Sequence, residues 1–289
     1  MNFDFAYTPS RGPDRSKARQ QGEEAVRVTE RGAYVAPSGR TVSITDHVRA
    51  AVSGTRDYRP EETVPLPRTT PRYTRMTVVN GTSLDVARRL AARSSPDDRI
   101  EPLVLNFASA KNPGGGFLGG ARAQEESLAR SSALYECIRR SEMYAYHRAH
   151  GDCLYSDWMI YSPSVPVFRD DDSGALLEEP YLCAFLTAPA PNAGVVVSRQ
   201  PERLDEVNRT MASRIERSLA IAAAHGKKFL VLGAWGCGVF KNSPVVVAEA
   251  YQAAFRGPFA GVFQEVVFAV LDWSEDRRFV RPFAERFAT

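Results

Sequence analysis

From Arg75 onward, short apolar runs alternate with amphipathic stretches, and this alternation narrows what the chain can fold into more than any other feature. Residues 76–80, 101–109, 158–162, 180–188, 227–235 and 265–273 read as buried strands. Residues 83–94, 202–225, 243–255 and the C-terminal stretch read as helices between and after them. Strand and helix in turn give the α/β class, with layers of helices flanking a mixed central sheet. No fixed-period repeat is present, and the acid-rich residues 170–179 read as a solvated hairpin or loop.

Ahead of Arg75 the pattern differs. Residues 14–29 predict a polar helix, followed by two extended pieces at 33–36 and 41–44 across a Pro-Ser-Gly turn and a helix near 46–52. Prolines 60, 65, 67 and 71 remove backbone donors and mark a connector. Residues 1–74 are therefore expected to be an N-terminal, mostly helical accessory segment packed on a core formed by residues 75–289.

Several function classes lose support on composition. No apolar run approaches the roughly 18 to 20 residues of a membrane-spanning helix. The first residues lack the basic start and apolar stretch of a secretory leader, so the expected location is cytoplasmic. Cys137, Cys153, Cys183 and Cys237 form no C-x-x-C pair, and the four histidines make no cluster, so neither a disulfide framework nor a metal site is expected. Cys237 is given no catalytic role. The basic excess behind the net charge of +3 sits in residues 1–75, with 13 Lys and Arg against 9 Asp and Glu, while the rest holds 24 against 25. These basic residues are interleaved with acids, so direct nucleic-acid binding is not expected.

Two glycine-rich loops each follow an apolar strand, which in an open α/β sheet points both toward the ligand crevice at the strands' carboxyl ends. The first passes through Gly114, Gly115 and Gly116 into a helix that opens with Gln124, Glu125 and Glu126. Acids in a first helical turn interact favourably with the helix dipole. Two adjacent carboxylates beside a glycine loop equally suit acid/base work, since burial and repulsion can raise a glutamate from about 4.3 toward about 6 or 7. Spacing alone leaves both open. The second loop, with Gly233, Gly236 and Gly238, offers amides for a phosphate nest or forms a structural turn, and Phe240 either covers a sugar or belongs to the core. It carries neither a Walker pattern nor G-x-G-x-x-G.

These residues resemble the G-G-G-x(6–8)-Q-E-E signature of bacterial-type poly(ADP-ribose) glycohydrolases, here with seven residues between Gly116 and Gln124. The second loop is similar to that family's diphosphate-binding loop, and the accessory segment to that of its bacterial branch, so the resemblance spans most of the chain. It implies a macrodomain-like three-layer α/β/α sandwich that hydrolyses the ribose–ribose O-glycosidic bonds of poly(ADP-ribose). It also implies that Glu126 is the acid and then the base, that Glu125 positions the ribose, and that Asn112 binds the distal ribose. Gly114, Gly115, Gly116, Gln124 and the run Gly236, Cys237, Gly238, Val239 and Phe240 would line the ribose and diphosphate. No cofactor or metal is implied. The partners implied are poly(ADP-ribose) or ADP-ribosylated proteins as substrate and ADP-ribose as product, for a monomer. One departure stands out: where many macrodomains place an adenine-binding aspartate, this chain reads NGTSLD, with Asp85 too far into the helix. Rival readings are a module that binds ADP-ribose without cleaving it, a hydrolase of protein-linked mono-ADP-ribose, and an α/β domain whose acids merely cap a helix.

Overall fold

The computed structural model describes residues 12–67 and 72–287; Pro71 of the connector and the stretch read for a leader up to residue 11 lie outside the described residues. Helix α1 (Arg15–Arg31) begins where the Asp14 carboxylate accepts from the Lys17 amide at 2.9 Å, and it ends at Gly32, whose φ of 67° closes the C-cap. Its buried stripe is Ala18, Gln21, Gly22, Ala25 and Val28, at three- and four-residue spacing. Strands β1 (Ala33–Val35) and β2 (Thr41–Ser43) form an antiparallel hairpin, and α2 (Thr45–Gly54) follows. Tyr34, Val42 and Ile44 pack with Phe168 into a small core of their own.

The remaining elements run in the alternation expected from the sequence. They are β3 (Arg56–Tyr58), β4 (Arg75–Val79), α3 (Ser83–Ala91), β5 (Leu103–Phe107), α4 (Gln124–Ser131), α5 (Leu134–Ile138), α6 (Glu142–Ala149), β6 (Met159–Arg169) and β7 (Leu176–Ala188). After them come α7 (Ala193–Arg199), α8 (Leu204–Ala224), β8 (Phe229–Leu232), α9 (Pro244–Arg256), β9 (Glu265–Ala269) and α10 (Arg281–Phe287). The central sheet has the order β3-β6-β7-β5-β8-β9-β4. Strands β7, β5, β8, β9 and β4 are parallel to one another, while β6 pairs antiparallel with both β7 and the edge strand β3. The fold is thus an α/β/α sandwich on a mixed sheet.

Side-chain alternation accounts for the two helical layers. Leu103 and Leu105, Leu230 and Leu232, and Val266 and Phe268 face one core, whereas Val104, Val231 and Val267 face the other. Strand β3 is too short to show such alternation, and tertiary contacts fix it instead. Tyr58 is buried, with its hydroxyl 2.7 Å from His225 Nε2, and Arg217 donates to the Arg59 and Glu62 carbonyls. An edge strand of the sheet therefore comes from the segment ahead of residue 75. Helices α5, α6 and α7, of 5, 8 and 7 residues, escape the sequence pattern because they barely complete one hydrophobic period.

Two consequences position the site. The carboxyl ends of the parallel strands β4, β5, β8 and β9 open together on one edge of the sheet, as parallel pairing requires. Helix α1 lies flush against the 3-10 turn Phe117–Gly119 that follows the first glycine loop, where a β-carbon on Gly22 would stand 2.9 Å from the Phe117 carbonyl oxygen. Gly22→Val would force these backbones apart. Overpacking of this kind costs about 2 kcal/mol, so the thermal midpoint measured by circular dichroism is expected to fall by roughly 5 °C.

Candidate active site

A cavity of about 830 Å³ lies at the carboxyl ends of β4, β5, β8 and β9. Its walls are the loop after β4 (81–83), the first glycine loop after β5, the second after β8, and residues 270–274 with Arg278 and Phe279 after β9. Both glycine loops singled out in the sequence meet at this one opening.

Helix α4 starts at the cavity wall, and its first three side chains each reach away from their own helix. Gln124 Oε1 accepts from the Phe107 amide at 2.9 Å, while its Nε2 donates to the Leu105 carbonyl at 2.8 Å and to Ser83 Oγ at 3.1 Å. Its amide is fully engaged in fixing α4 to the end of β5. Glu125 Oε2 accepts from the Ser109 amide at 2.6 Å, and Glu126 Oε1 accepts from the Gly116 amide at 2.9 Å. Neither carboxylate caps α4. They are 3% and 8% exposed, where acids that only complement a helix dipole would sit in solvent. The second oxygen of Glu126, Oε2, is buried and has no hydrogen-bond partner among the described residues.

Glycine is obligatory beside this pair. Gly115 has φ +61°, and a β-carbon there would overlap Glu126 Oε1 and stand 3.0 Å from Glu125 Oε2. The two carboxyl groups therefore flank one α-carbon. Desolvation pushes the Glu125 carboxyl up to about 8, and repulsion from Glu126 adds to it, against the lowering effect of the Ser109 amide. Gly114, with φ +70°, lies behind the wall against the Phe117 ring and serves the turn. Gly116 supplies the amide to Glu126. Asn112 is exposed on the wall, its carbonyl accepting from the Gly115 amide at 3.0 Å.

The second loop is pinned at its base. Asn242 Nδ2 donates to the Pro191 and Gly236 carbonyls at 2.8 and 3.1 Å, and Trp235 is fully buried. Gly236 has φ +72°, and a β-carbon there would meet Ala190 and Asn242, each at 2.6 Å. Among the described residues, the amides of Gly238, Val239 and Phe240 donate to no protein acceptor, which leaves successive N–H groups for an anion. Val239 is exposed at the rim, and Phe240 is half-buried, lining the cavity while also touching the core. Cys237 lines the cavity too, but burial alone pushes its thiol far up, which keeps it protonated.

Several residues at this site gave no signal in the sequence. Asn106 on β5 donates to Thr187 Oγ1 at 3.1 Å beneath Glu125. Asp171, on the β6–β7 hairpin that reads as solvated, turns into the cavity, where the Thr82 and Ser127 hydroxyls each donate to it at 3.2 Å and burial raises it to about 6. Asp272 accepts from the Ser274, Phe279 and Val280 amides at 2.9, 2.8 and 3.1 Å and is tied to Asn80, so it shapes the loop after β9. Asp85 pairs with Arg88 and Arg89 on α3 and is not among the residues lining the cavity.

Comparisons with known proteins bear on this geometry. The model of the microbial-type PARG catalytic domain matches residues 22–170. The chain is similar to the crystal structure of poly(ADP-ribose) glycohydrolase (PARG) from Thermomonospora curvata, at 49% identity and a TM-score of 0.88, over 94% of this chain and 100% of that one. The same protein bound to the inhibitor ADP-HPD aligns at 48% identity and a TM-score of 0.85, with equal coverage. PARG from Deinococcus radiodurans in complex with ADP-ribose aligns at 41% identity and a TM-score of 0.75, over 83% of this chain and 97% of that one. Comparison with curated proteins gives no match.

The raised Glu125 carboxyl has a thermodynamic consequence. Between its ordinary value of 4.5 and about 8 the folded protein holds a proton that the unfolded chain releases, so stability is full at low pH within this window and is lost as pH rises through it. Glu125→Gln removes that dependence. Thermal unfolding at pH 5 and pH 8 is expected to show the variant more stable than wild type at pH 8, by about 5 °C or more, with the gap closing toward pH 5.

Proposed function

This chain belongs to the microbial-type poly(ADP-ribose) glycohydrolase family, and on that premise we propose that Glu126 is its catalytic acid and base while Glu125 positions the substrate ribose. The enzyme hydrolyses the O-glycosidic ribose–ribose bonds of poly(ADP-ribose) and releases ADP-ribose. The observation that carries the assignment is the Oε2 of Glu126, buried at the cavity wall without a partner while Oε1 is held by the Gly116 amide. A carboxyl group fixed at one oxygen and open at the other is set for proton transfer.

The roles follow from the contacts. Burial, with repulsion from Glu126 added, holds the Glu125 carboxyl up at about 8, so it keeps a proton near neutral pH directly beside Glu126. Glu126 delivers a proton to the departing ribose oxygen and, as carboxylate, then takes one from the water that attacks the anomeric carbon. Glu125, held by Ser109, exchanges hydrogen bonds with the ribose hydroxyls and turns the bond toward Glu126. Positive charge developing on the ribose is stabilised by the carboxylate and the substrate's own phosphates. The free amides of Gly238, Val239 and Phe240 receive the diphosphate, and Phe240 packs on the terminal sugar. Asn112 and Gly115 border the distal ribose. Gln124, Gly114 and Gly236 act by positioning, since their contacts are spent within the protein.

Polymer or ADP-ribosylated protein as the substrate, and the cytoplasm as its place, complete the reading. Four cysteines free of disulfides support a reducing compartment.

Glu126→Gln keeps the shape of the side chain but removes its proton chemistry. Release of ADP-ribose from automodified polymer, followed by chromatography, is expected to drop by about 10²- to 10⁴-fold, with ADP-ribose affinity by calorimetry held within about threefold. Turnover near the wild-type rate would remove Glu126 from the mechanism.

A further inference from the structure

We propose that Arg15 and Arg122 form a separate phosphate site for the chain-side ADP-ribose unit, the one that leaves when the glycosidic bond is cut. This rests on the glycohydrolase reading above, because a polymer broken at Glu126 has a unit on each side of the bond. The terminal unit extends from Glu126 toward the loop after β8, where the free amides lie. The leaving unit must emerge elsewhere, and the first glycine loop bounds that other side.

Two arginines border that loop, Arg122 on the cavity wall and Arg15 just outside it. The Gly116 amide holds Glu126, and the Gly116 carbonyl in turn accepts from the Ala121 amide at 3.1 Å, so Arg122 follows directly on the turn that fixes the catalytic carboxylate. Arg122 lines the same cavity, as do Gly12 and Pro13 ahead of α1. Its Nη1 donates to the Pro13 carbonyl at 3.2 Å, and Arg15 Nε donates to the Gly119 carbonyl at 3.1 Å. Each guanidinium is thereby oriented by one hydrogen bond and keeps its other donors for a ligand. Both residues are exposed, and among the described residues neither makes an ion pair with a carboxylate. Asp14, the acid next to Arg15, has Oδ1 committed to capping α1 at Lys17. Two exposed positive charges, each anchored at its base and open at its tip, suit the oxygens of a diphosphate.

Exposed charges of this kind steer and hold a charged substrate rather than alter bond breaking. The test compares the full-length wild type with Arg15→Ala/Arg122→Ala and with Arg15→Lys/Arg122→Lys. Initial rates are taken on poly(ADP-ribose) at low and high salt, and affinity for free ADP-ribose is measured by calorimetry. The alanine pair is expected to raise KM for polymer by about fivefold at low salt, to flatten its salt dependence, and to leave kcat and ADP-ribose affinity within about twofold. The lysine pair, which keeps the charge but loses the fork that braces the loop, is expected to recover most of the KM. An unchanged polymer KM in the alanine pair would overturn the proposal. So would a parallel loss of ADP-ribose affinity or a failure of lysine to rescue, either of which would make the arginines braces of the loop. Failure of wild type to cleave polymer at all would instead refute the glycohydrolase reading on which this one stands.

Discussion

Burying Glu125 and Glu126 side by side costs free energy twice, once for desolvation and again for repulsion, and much of the local structure offsets that cost. Each carboxylate receives one backbone amide, from Ser109 and Gly116. Those amides come from the loop after β5, so the pair is stable only where a strand end, a glycine turn and a helix start converge. Gly115 must lack a side chain for the same reason, since its α-carbon is the floor on which both carboxyl groups meet. What remains uncompensated, the bare Oε2 of Glu126 and the raised Glu125, is the part available for chemistry.

Such a pair demands a rigid frame, and the sheet supplies it at a distance. Gln124 joins α4 to the β5 terminus through the Phe107 amide and the Leu105 carbonyl. From the other side, Arg130 donates to the Ala121 carbonyl at 2.7 Å, and the Arg130 carbonyl accepts from the buried Arg169, which also pairs with Glu24 on α1 at 2.7 Å. Accessory helix and sheet thus grip the same short helix from opposite ends. A shift of either would move the carboxylates relative to the sugar, and small misplacements are costly where reacting atoms must be held near contact.

Much of this was legible in the sequence because it depends on local pattern. Apolar runs located every strand of five residues or more, since burial on both faces leaves few alternatives for such runs. The signature from Gly114 to Glu126 located the carboxyl pair, and the second loop was recognisable by its glycines and its place after a strand. What the sequence hid depends on contacts between distant segments. Strand β3 is held by Tyr58 and His225, 167 residues apart. Asp171 sits in a stretch that reads as solvated acid, and only its tertiary neighbours Thr82 and Ser127 turn it inward. Spacing could not decide whether Glu125 and Glu126 cap their helix; the destination of their oxygens does.

The two glycine loops also divide their labour by the fate of their amides. In the first loop the Gly115 and Gly116 N–H groups are consumed, by Asn112 and by Glu126, so that loop serves the carboxylates and offers a ligand mainly its close backbone. In the second, Asn242 and Trp235 hold the base while Gly238 to Phe240 keep their N–H groups unspent. One loop stabilises acid groups and the other is left short of acceptors, which makes it attract the anionic part of a ligand. A molecule with a sugar at one end and phosphates a few bonds away fits that polarity in a single orientation. In the function proposed for this site, its phosphates take the second loop and its anomeric carbon faces Glu126.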